Sequence, residues 1–274
     1  MVSEQDVEGI EVRLLLEAIN ARYGFDLRDY AEGSIRRRVR AALARSGLSH
    51  LGELQHRVLT DPAYFGDLLD ELTVRVTEMF RDPPFYRALR ERVVPILRTY
   101  PLLRIWHGGC ASGEEAYANA ILLEEEGLYE RAQIYATDLN PQALEQAKLG
   151  VYSAQQLPAF AENYEKSGGP RKLSAYCTEA YEQVALKESL KRNILFFQHN
   201  LVSDHVFGEM HVIFCRNVFI YFTEALRERV LDKFAQSLCP GGFLCLGAGE
   251  RLPRSRLSAF SEFAPEERIY RYAV

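Results

Sequence analysis

The stretch R-I-W-H-G-G-C-A-S-G, Arg104 to Gly113, runs directly into Glu114 and Glu115. The apolar run Leu102 to Trp106 predicts a strand, the small residues a turn, and Ala116 to Glu126 an amphipathic helix. Strand, glycine turn and helix in that order bring backbone N–H groups against a nucleotide-like ligand. A second apolar run, Gln133 to Ala136, leads to Asp138. An acid about 20 residues beyond such a turn is where these folds grip a ribose hydroxyl pair. Asp138 is also a candidate N-cap for a helix starting at Pro141, but Asn140 fills that role equally well, which favours the ribose role.

The turn departs from phosphate-binding patterns. Gly108, Gly109 and Gly113 do not fit G-x-G-x-x-G, and no Lys-Ser or Lys-Thr follows. Two glutamates stand there instead. A pyrophosphate would meet negative charge, which argues against NAD, FAD and ATP. S-adenosylmethionine has no phosphate and carries a sulfonium and an ammonium, so acidic neighbours suit it. For Glu114 the helix dipole alone is a sufficient reason.

Outward from this stretch, apolar runs and helical periods alternate, which predicts an α/β domain with a parallel sheet covered on both faces. Strands are expected at 102–106, 133–137, 194–198, 211–215 and 243–247, with a last one from Arg268 to Val274. Helices are expected at 114–126, 141–148 and 223–238, and Pro240-Gly241-Gly242 reads as a tight turn. In F-C-R-N-V-F-I-Y-F, Phe214 to Phe222, an Arg-Asn pair follows a strand at the carboxyl edge, where open α/β sheets bind ligands. A structural salt bridge and a ligand contact are equally good readings of Arg216. Between Gly150 and Asn193 the alternation lapses. K-S-G-G-P, Lys166 to Pro170, is a turn cluster, and short antiparallel strands are expected as an insert at about 166–193. Such an insert normally binds something or covers an edge.

Residues 1–82 read as a helical domain and residues 83–274 as the larger α/β domain. Val12, Leu15, Leu16 and Ile19 share one helix face, and Gly24 stops that helix. A second helix starts near Ser34 and ends at Gly47, with Ile35, Val39, Ala42 and Leu43 as its apolar stripe. Five arginines and no acid lie between Ser34 and Arg45. A solvated face is the plainer account of them. A docking face for an acidic protein, through Arg36, Arg37 and Arg40, is the functional one. Asp61-Pro62 starts a further helix carrying Phe65, Leu68, Leu69 and Leu72. Thr73 to Phe85 includes an extended stretch, after which Asp82 with Pro83 is expected to cap a helix toward Arg98. No glycine-serine linker intervenes, so the two domains should pack together.

Of 274 residues, 47% are hydrophobic and 26% charged, as in an ordinary globular protein of one large or two modest domains. No apolar run is long enough to span a bilayer, and the acidic N-terminus lacks the regions of a signal peptide. Five scattered cysteines without a C-x-x-C pair fit reduced thiols, so a cytoplasmic location is expected. The net charge of −5 argues against nucleic acid as a partner. His199, His205 and His211 do not gather into a tetrahedral set, and no metal is expected.

Six stretches taken together carry a resemblance: V-T-E-M-F-R-D-P (76–83), G-C-A-S-G-E-E-A-Y (109–117), A-T-D-L-N (136–140), Q-A-K-L-G-V-Y (146–152), H-N-L (199–201) and F-C-R-N-V-F-I-Y-F (214–222). The chain resembles the CheR family of chemotaxis receptor methyltransferases, which esterify glutamate side chains using S-adenosylmethionine. The resemblance implies a class I methyltransferase domain with a Rossmann-like sheet, an all-α N-terminal domain and a small antiparallel β-subdomain. It implies cofactor contacts from Arg75, Thr77, Arg81, Glu115, Asp138, Asn200, Leu201, Arg216 and Asn217. Glu115 would meet the methionine ammonium, Asp138 the ribose hydroxyls, and Asn200 and Leu201 the adenine. Arg81 and Tyr221 match positions the family places beside the transferred methyl. The implied partner is a chemoreceptor or related signalling protein, docked on the arginine helix, with a peptide tether on the β-subdomain as a further possibility.

The chain also departs from the family. Arg75 stands where asparagine is usual, Met79 replaces a common phenylalanine, His211 an aspartate, and G-A-G-E (247–250) the usual G-H-S-E. The K-S-G-G-P segment and H-N-L-V-S-D (199–204) are similar to CheR-like proteins outside simple chemotaxis systems. A glutamate nucleophile is ionised near neutral pH and needs no general base. Arg81 is therefore expected to orient it and Tyr221 to hydrogen-bond to it. The rival readings are a methyltransferase with a different acceptor and a non-catalytic, cofactor-binding signalling module.

Overall fold

The computed structural model describes residues 4–73 and 77–273. Val74, Arg75 and Val76, expected as extended chain with Arg75 a cofactor contact, lie outside the described residues. So do residues 1–3 of the acidic N-terminus and Val274, the end of the expected last strand.

Four helices come first: α1 Glu4–Tyr23, α2 Glu32–Ser46, α3 Leu51–Thr60 and α4 Pro62–Leu72. Gly24 and Gly47 end α1 and α2 at φ 76° and 70°, a left-handed conformation open to glycine at no steric cost. Asp61 caps α4, its carboxylate accepting from the N–H groups of Ala63 and Tyr64 at 3.0 and 3.2 Å. Leu15, Ile19, Val39, Leu54 and Val58 close one core between the helices. The sequence reading did not single out α3, whose stripe of Leu51, Leu54 and Val58 is only three residues wide.

The larger part begins with α5 Pro83–Ala88, a π-helical turn Leu89–Val93, and α6 Val94–Leu97. Alternation follows: β1 Leu103–Gly108, α7 Glu114–Glu125, β2 Ala132–Asp138 and α8 Pro141–Leu149. A small excursion holds β3 Val151–Ser153, α9 Leu157–Lys166, β4 Cys177–Ala180 and β5 Gln183–Leu186. The chain then returns through β6 Ile194–Gln198, β7 Met210–Cys215, α10 Glu224–Ser237, β8 Leu238–Leu246, β9 Phe260–Ala264 and β10 Ile269–Tyr272.

Seven strands form one sheet in the order β6-β2-β1-β7-β8-β10-β9. It is parallel from β6 to β8, and β10 pairs antiparallel to β8 and to β9. From β1 the chain fills one side through β2 and β6, then crosses to β7 on the other. The strand order therefore reverses between β1 and β7. A ligand crevice forms at the carboxyl ends of the strands flanking such a switch point.

Three details differ from expectation. The small sheet, in the order β3-β5-β4, takes its first strand from Val151–Ser153, ahead of the expected start of the insert at Lys166. The stretch before the turn cluster is helix α9 instead. Pro240-Gly241-Gly242 is not a turn between elements; it is a bulge inside β8, with the register against β7 shifting between Met210 and Val212. Asp82 holds the N-cap position of α5, with Pro83 next, but at φ 60° its side chain makes no capping hydrogen bond, because its carboxylate is drawn to a buried guanidinium described below.

The helical part sits over the carboxyl edge of the sheet. The Ala31 N–H donates to the Tyr221 carbonyl at 2.7 Å, and Tyr30 bridges to Phe222. Asn140 Nδ2 donates to Asp70 Oδ1 at 2.6 Å and to Thr73 Oγ1 at 2.9 Å. Among the described residues no helix is long and apolar enough to cross a membrane.

Candidate active site

A cleft opens at the switch point, at the carboxyl ends of the strands, where sheets of this kind bind small-molecule ligands. Thr77, Arg81, Glu115, Asp138, Asn200, Leu201, Arg216, Asn217 and Tyr221 all line it, so the described members of the expected set meet in one place. They come from the ends of three strands, β2, β6 and β7, from the loop before α5 and from the start of α7.

The glycine turn forms the floor. Gly109 and Cys110 donate their N–H groups to the Thr137 carbonyl at 2.8 and 2.9 Å, folding the turn back on β2. Gly109 has φ 81°, and a Cβ there would lie 2.6 Å from Val218 Cγ2. Only glycine lets the β1 turn and the β7 turn approach this closely.

At one end of the cavity stands Asp138. Its Oδ2 accepts from the Ala111 N–H at 2.8 Å and its Oδ1 from the Asn140 N–H at 2.9 Å. Burial pushes its carboxyl up, and those backbone N–H groups pull it partly back. The capping of α8 falls to Asn140, whose Oδ1 accepts from Gln142 and Ala143 at 2.9 and 3.3 Å. Asp138 is thus left facing the cavity. Beside it, Asn200 Oδ1 accepts from the Val202 N–H, and the Asn200 N–H donates to Asp204, both at 2.9 Å. Lys233 on α10 locks this loop by donating to the carbonyls of Leu201, Val202 and Asp204 at 2.9, 2.8 and 2.7 Å.

At the other end charges dominate. Arg216 is buried and donates to Glu115 at 2.9 Å, to Asp82 at 2.7 Å and to the Arg81 carbonyl at 3.3 Å. Its guanidinium also lies 3.9 Å from the Phe85 ring centre. The salt-bridge and ligand readings of Arg216 therefore hold together: it is ion-paired, and it lines the cavity. Glu115 uses its second oxygen to accept from His107 Nδ1 at 3.0 Å. Burial alone would raise the Glu115 carboxyl, but the bonds to His107 and Arg216 outweigh it and hold it below the usual range. Asp82 and Glu115 face one guanidinium, which leaves excess negative charge where a cationic ligand group would sit. Glu114 points away: it is buried, accepts from Ser112 Oγ at 2.9 Å, and burial pushes its carboxyl up to about 7.

Arg81 sits apart from this cluster. Its side chain makes no hydrogen bond or ion pair among the described residues, and it lines the cavity. Phe80 and Asp82 flank it at φ 55° and 60°, a left-handed backbone that non-glycine residues rarely adopt and that clusters at functional sites. Tyr221, which also lines the cavity, lies under Arg38, whose guanidinium is 4.5 Å from the ring centre and donates to the Leu72 carbonyl.

Arg38, Lys233, His107 and Glu250 are site-supporting residues that the sequence reading missed. Arg38 was hidden among its neighbours on α2, although its place between the buried Ile35 and Val39 is a detectable mark of an inward position. Of the arginines expected at a docking face, Arg36 pairs with Glu32 at 2.6 Å and Arg40 with Glu8. Arg37 is exposed and unpaired among the described residues.

A Rossmann-like sheet with the carboxylates of Glu115 and Asp138 on the wall of the cleft fits one class: an S-adenosylmethionine-dependent methyltransferase. The family model for the CheR methyltransferase all-alpha domain matches residues 10–73, and that for the CheR methyltransferase SAM-binding domain matches residues 75–266. The chain belongs to the CheR methyltransferase family. It is 46% identical over 272 residues to Cher3 of Pseudomonas putida, covering 99% of each chain. It is 30% identical over 231 residues to a chemotaxis protein methyltransferase of Listeria monocytogenes, covering 84% of this chain and 85% of that one. A 104.1 kDa protein of Rhodobacter capsulatus is 31% identical over 250 residues, which is 88% of this chain and 25% of that one.

Proposed function

We propose that this methyltransferase esterifies glutamate side chains of a chemoreceptor or related signalling protein in the cytoplasm. The observation that carries the reading is the Arg81 guanidinium, unpaired among the described residues, in the cleft that Tyr221 also lines and where Arg216 is already neutralised. A free planar guanidinium suits a carboxylate from outside.

Bound S-adenosylmethionine supplies an electrophilic methyl on a sulfonium. The chain's own groups do the rest. Glu115 and Asp82 favour a cationic methionine head, Asp138 takes the ribose hydroxyls, and Thr77, Arg216 and Asn217 complete the grip. Asn200 and Leu201 frame the base, held in place by Lys233. Arg81 aligns the acceptor carboxylate and Tyr221 hydrogen-bonds to it, with Arg38 stacked behind the ring to fix its position. The carboxylate arrives ionised, so catalysis is alignment and charge placement. Residues 1–82 bring the acceptor to the cleft, with the exposed Arg37 as the free charge on α2 and Arg36 and Arg40 at its margin. The small sheet is available to a tether peptide by addition to an edge strand.

The test is incubation with methyl-labelled cofactor and membranes containing the candidate receptor. The reading expects label released as methanol by mild base. A base-stable label on the receptor, or cofactor binding without transfer, rejects it.

A further inference from the structure

We infer that Glu250 is a positioning residue for methyl transfer: one buried carboxylate sets the turn from Arg216 to Tyr221, holding its cofactor end at Asn217 and its acceptor end at Ile220. The inference rests on the reading of Tyr221 as an acceptor-side group.

Glu250 follows β8 and is 4% exposed. Its Oε2 accepts from the N–H groups of Gly247 at 2.6 Å and Asn217 at 2.9 Å, and its Oε1 accepts from the Ile220 N–H at 3.2 Å. Among the described residues no lysine or arginine pairs with it, so its bonds go to backbone. Charge-assisted bonds of this kind are stronger than neutral ones. They are needed here because Asn217 has φ 62°, a conformation that a non-glycine residue holds only when its surroundings impose it. Burial raises the Glu250 carboxyl while the same backbone N–H groups lower it, as expected for an acid kept for local binding. Gly247 completes the fit: a Cβ there would lie 2.7 Å from Asn217 Nδ2 and 2.8 Å from both the Asn217 backbone N and Glu250 Oε2. Neither end of the turn touches Glu250 through a side chain, which is why the role is positioning and not catalysis.

The two oxygens serve different ends, and this gives a specific test. Glu250→Gln keeps the shape but has one acceptor oxygen. Directed at Gly247 and Asn217, where two donors converge, it leaves the Ile220 N–H facing an amide NH2. In the full chain, Glu250→Gln is expected to lower kcat about tenfold while the calorimetric Kd for S-adenosylhomocysteine stays within about twofold. Amide hydrogen exchange should quicken over residues 220–222 and not at 217. Gly247→Ala presses on the other end and should do the reverse, weakening S-adenosylhomocysteine about tenfold with a smaller change in kcat. Unchanged kcat and exchange in Glu250→Gln overturn the inference. So does a parallel loss of kcat and affinity in both variants that follows a fall in Tm. Exchange is read without any acceptor, so it tests Glu250 separately. Failure of the glutamate reading would instead appear as no base-labile label from the unaltered protein.

Discussion

At one end of the cleft, Asp138 is held by the backbone of Asn140 and Ala111, two and 27 residues away in the chain. At the charged end, Arg216 is held by the side chains of Glu115 and Asp82, 101 and 134 residues away. The first arrangement is local and repeats wherever a strand, a turn and a helix meet. The second is a buried network that ties the Arg81 loop, α7 and the β7 turn together. Local parts should fail separately and mildly. The network should fail as a unit, because both carboxylates share one buried guanidinium.

The largest expected effect is Arg216→Met. It strands Glu115 and Asp82, so urea unfolding should show a loss of about 3–5 kcal/mol, and transfer should fall about 1000-fold. Arg81→Ala should come next, lowering kcat about 100-fold through misalignment of the acceptor, with no loss of stability in the same unfolding assay. Asp138→Asn should weaken S-adenosylhomocysteine about tenfold by calorimetry, with kcat at saturating cofactor changed less. A larger effect at Asp138 than at Arg216 would break the contrast between the two ends.

Glu114 sharpens it from the side of stability. Its folded carboxyl titrates at about 7 against an ordinary value of 4.5 because it is buried. Between those values the folded state holds a proton that the unfolded state has lost. Its contribution is therefore full below the ordinary value and is lost as pH rises to about 7, on the order of 3 kcal/mol. Glu114→Gln keeps an acceptor for Ser112 and should flatten that part of the stability profile, read by denaturant midpoints across the range. The smallest effect is expected at Arg37→Glu, an exposed charge. KM for the acceptor should rise about threefold at low salt and return toward normal at high salt.

The same contrast explains what could be read from the residues. The parallel sheet and Asn140 as the α8 cap were legible because each is written within one short stretch. The Asp82 side chain was misread because its Asp-Pro pattern signals a capping bond, while its actual partner is a guanidinium on a strand far along the chain. Arg38 looked like one of a surface cluster, yet tertiary packing turns it inward against Tyr221. Glu250 ends the G-A-G-E stretch, but nothing in that stretch shows what its carboxylate meets; only the fold brings three backbone N–H groups to it. The bulge at Pro240 to Gly242 followed the same logic, since the register against β7 is set by a neighbour.

The central claim is that the cleft separates cofactor binding from acceptor alignment, with Arg81 on the acceptor side. The most direct measurement is the calorimetric Kd for S-adenosylhomocysteine of Arg81→Ala beside its kcat. The account predicts a Kd within about threefold of the unaltered protein while kcat falls about 100-fold. A Kd weakened in step with kcat would make Arg81 a cofactor anchor and contradict it.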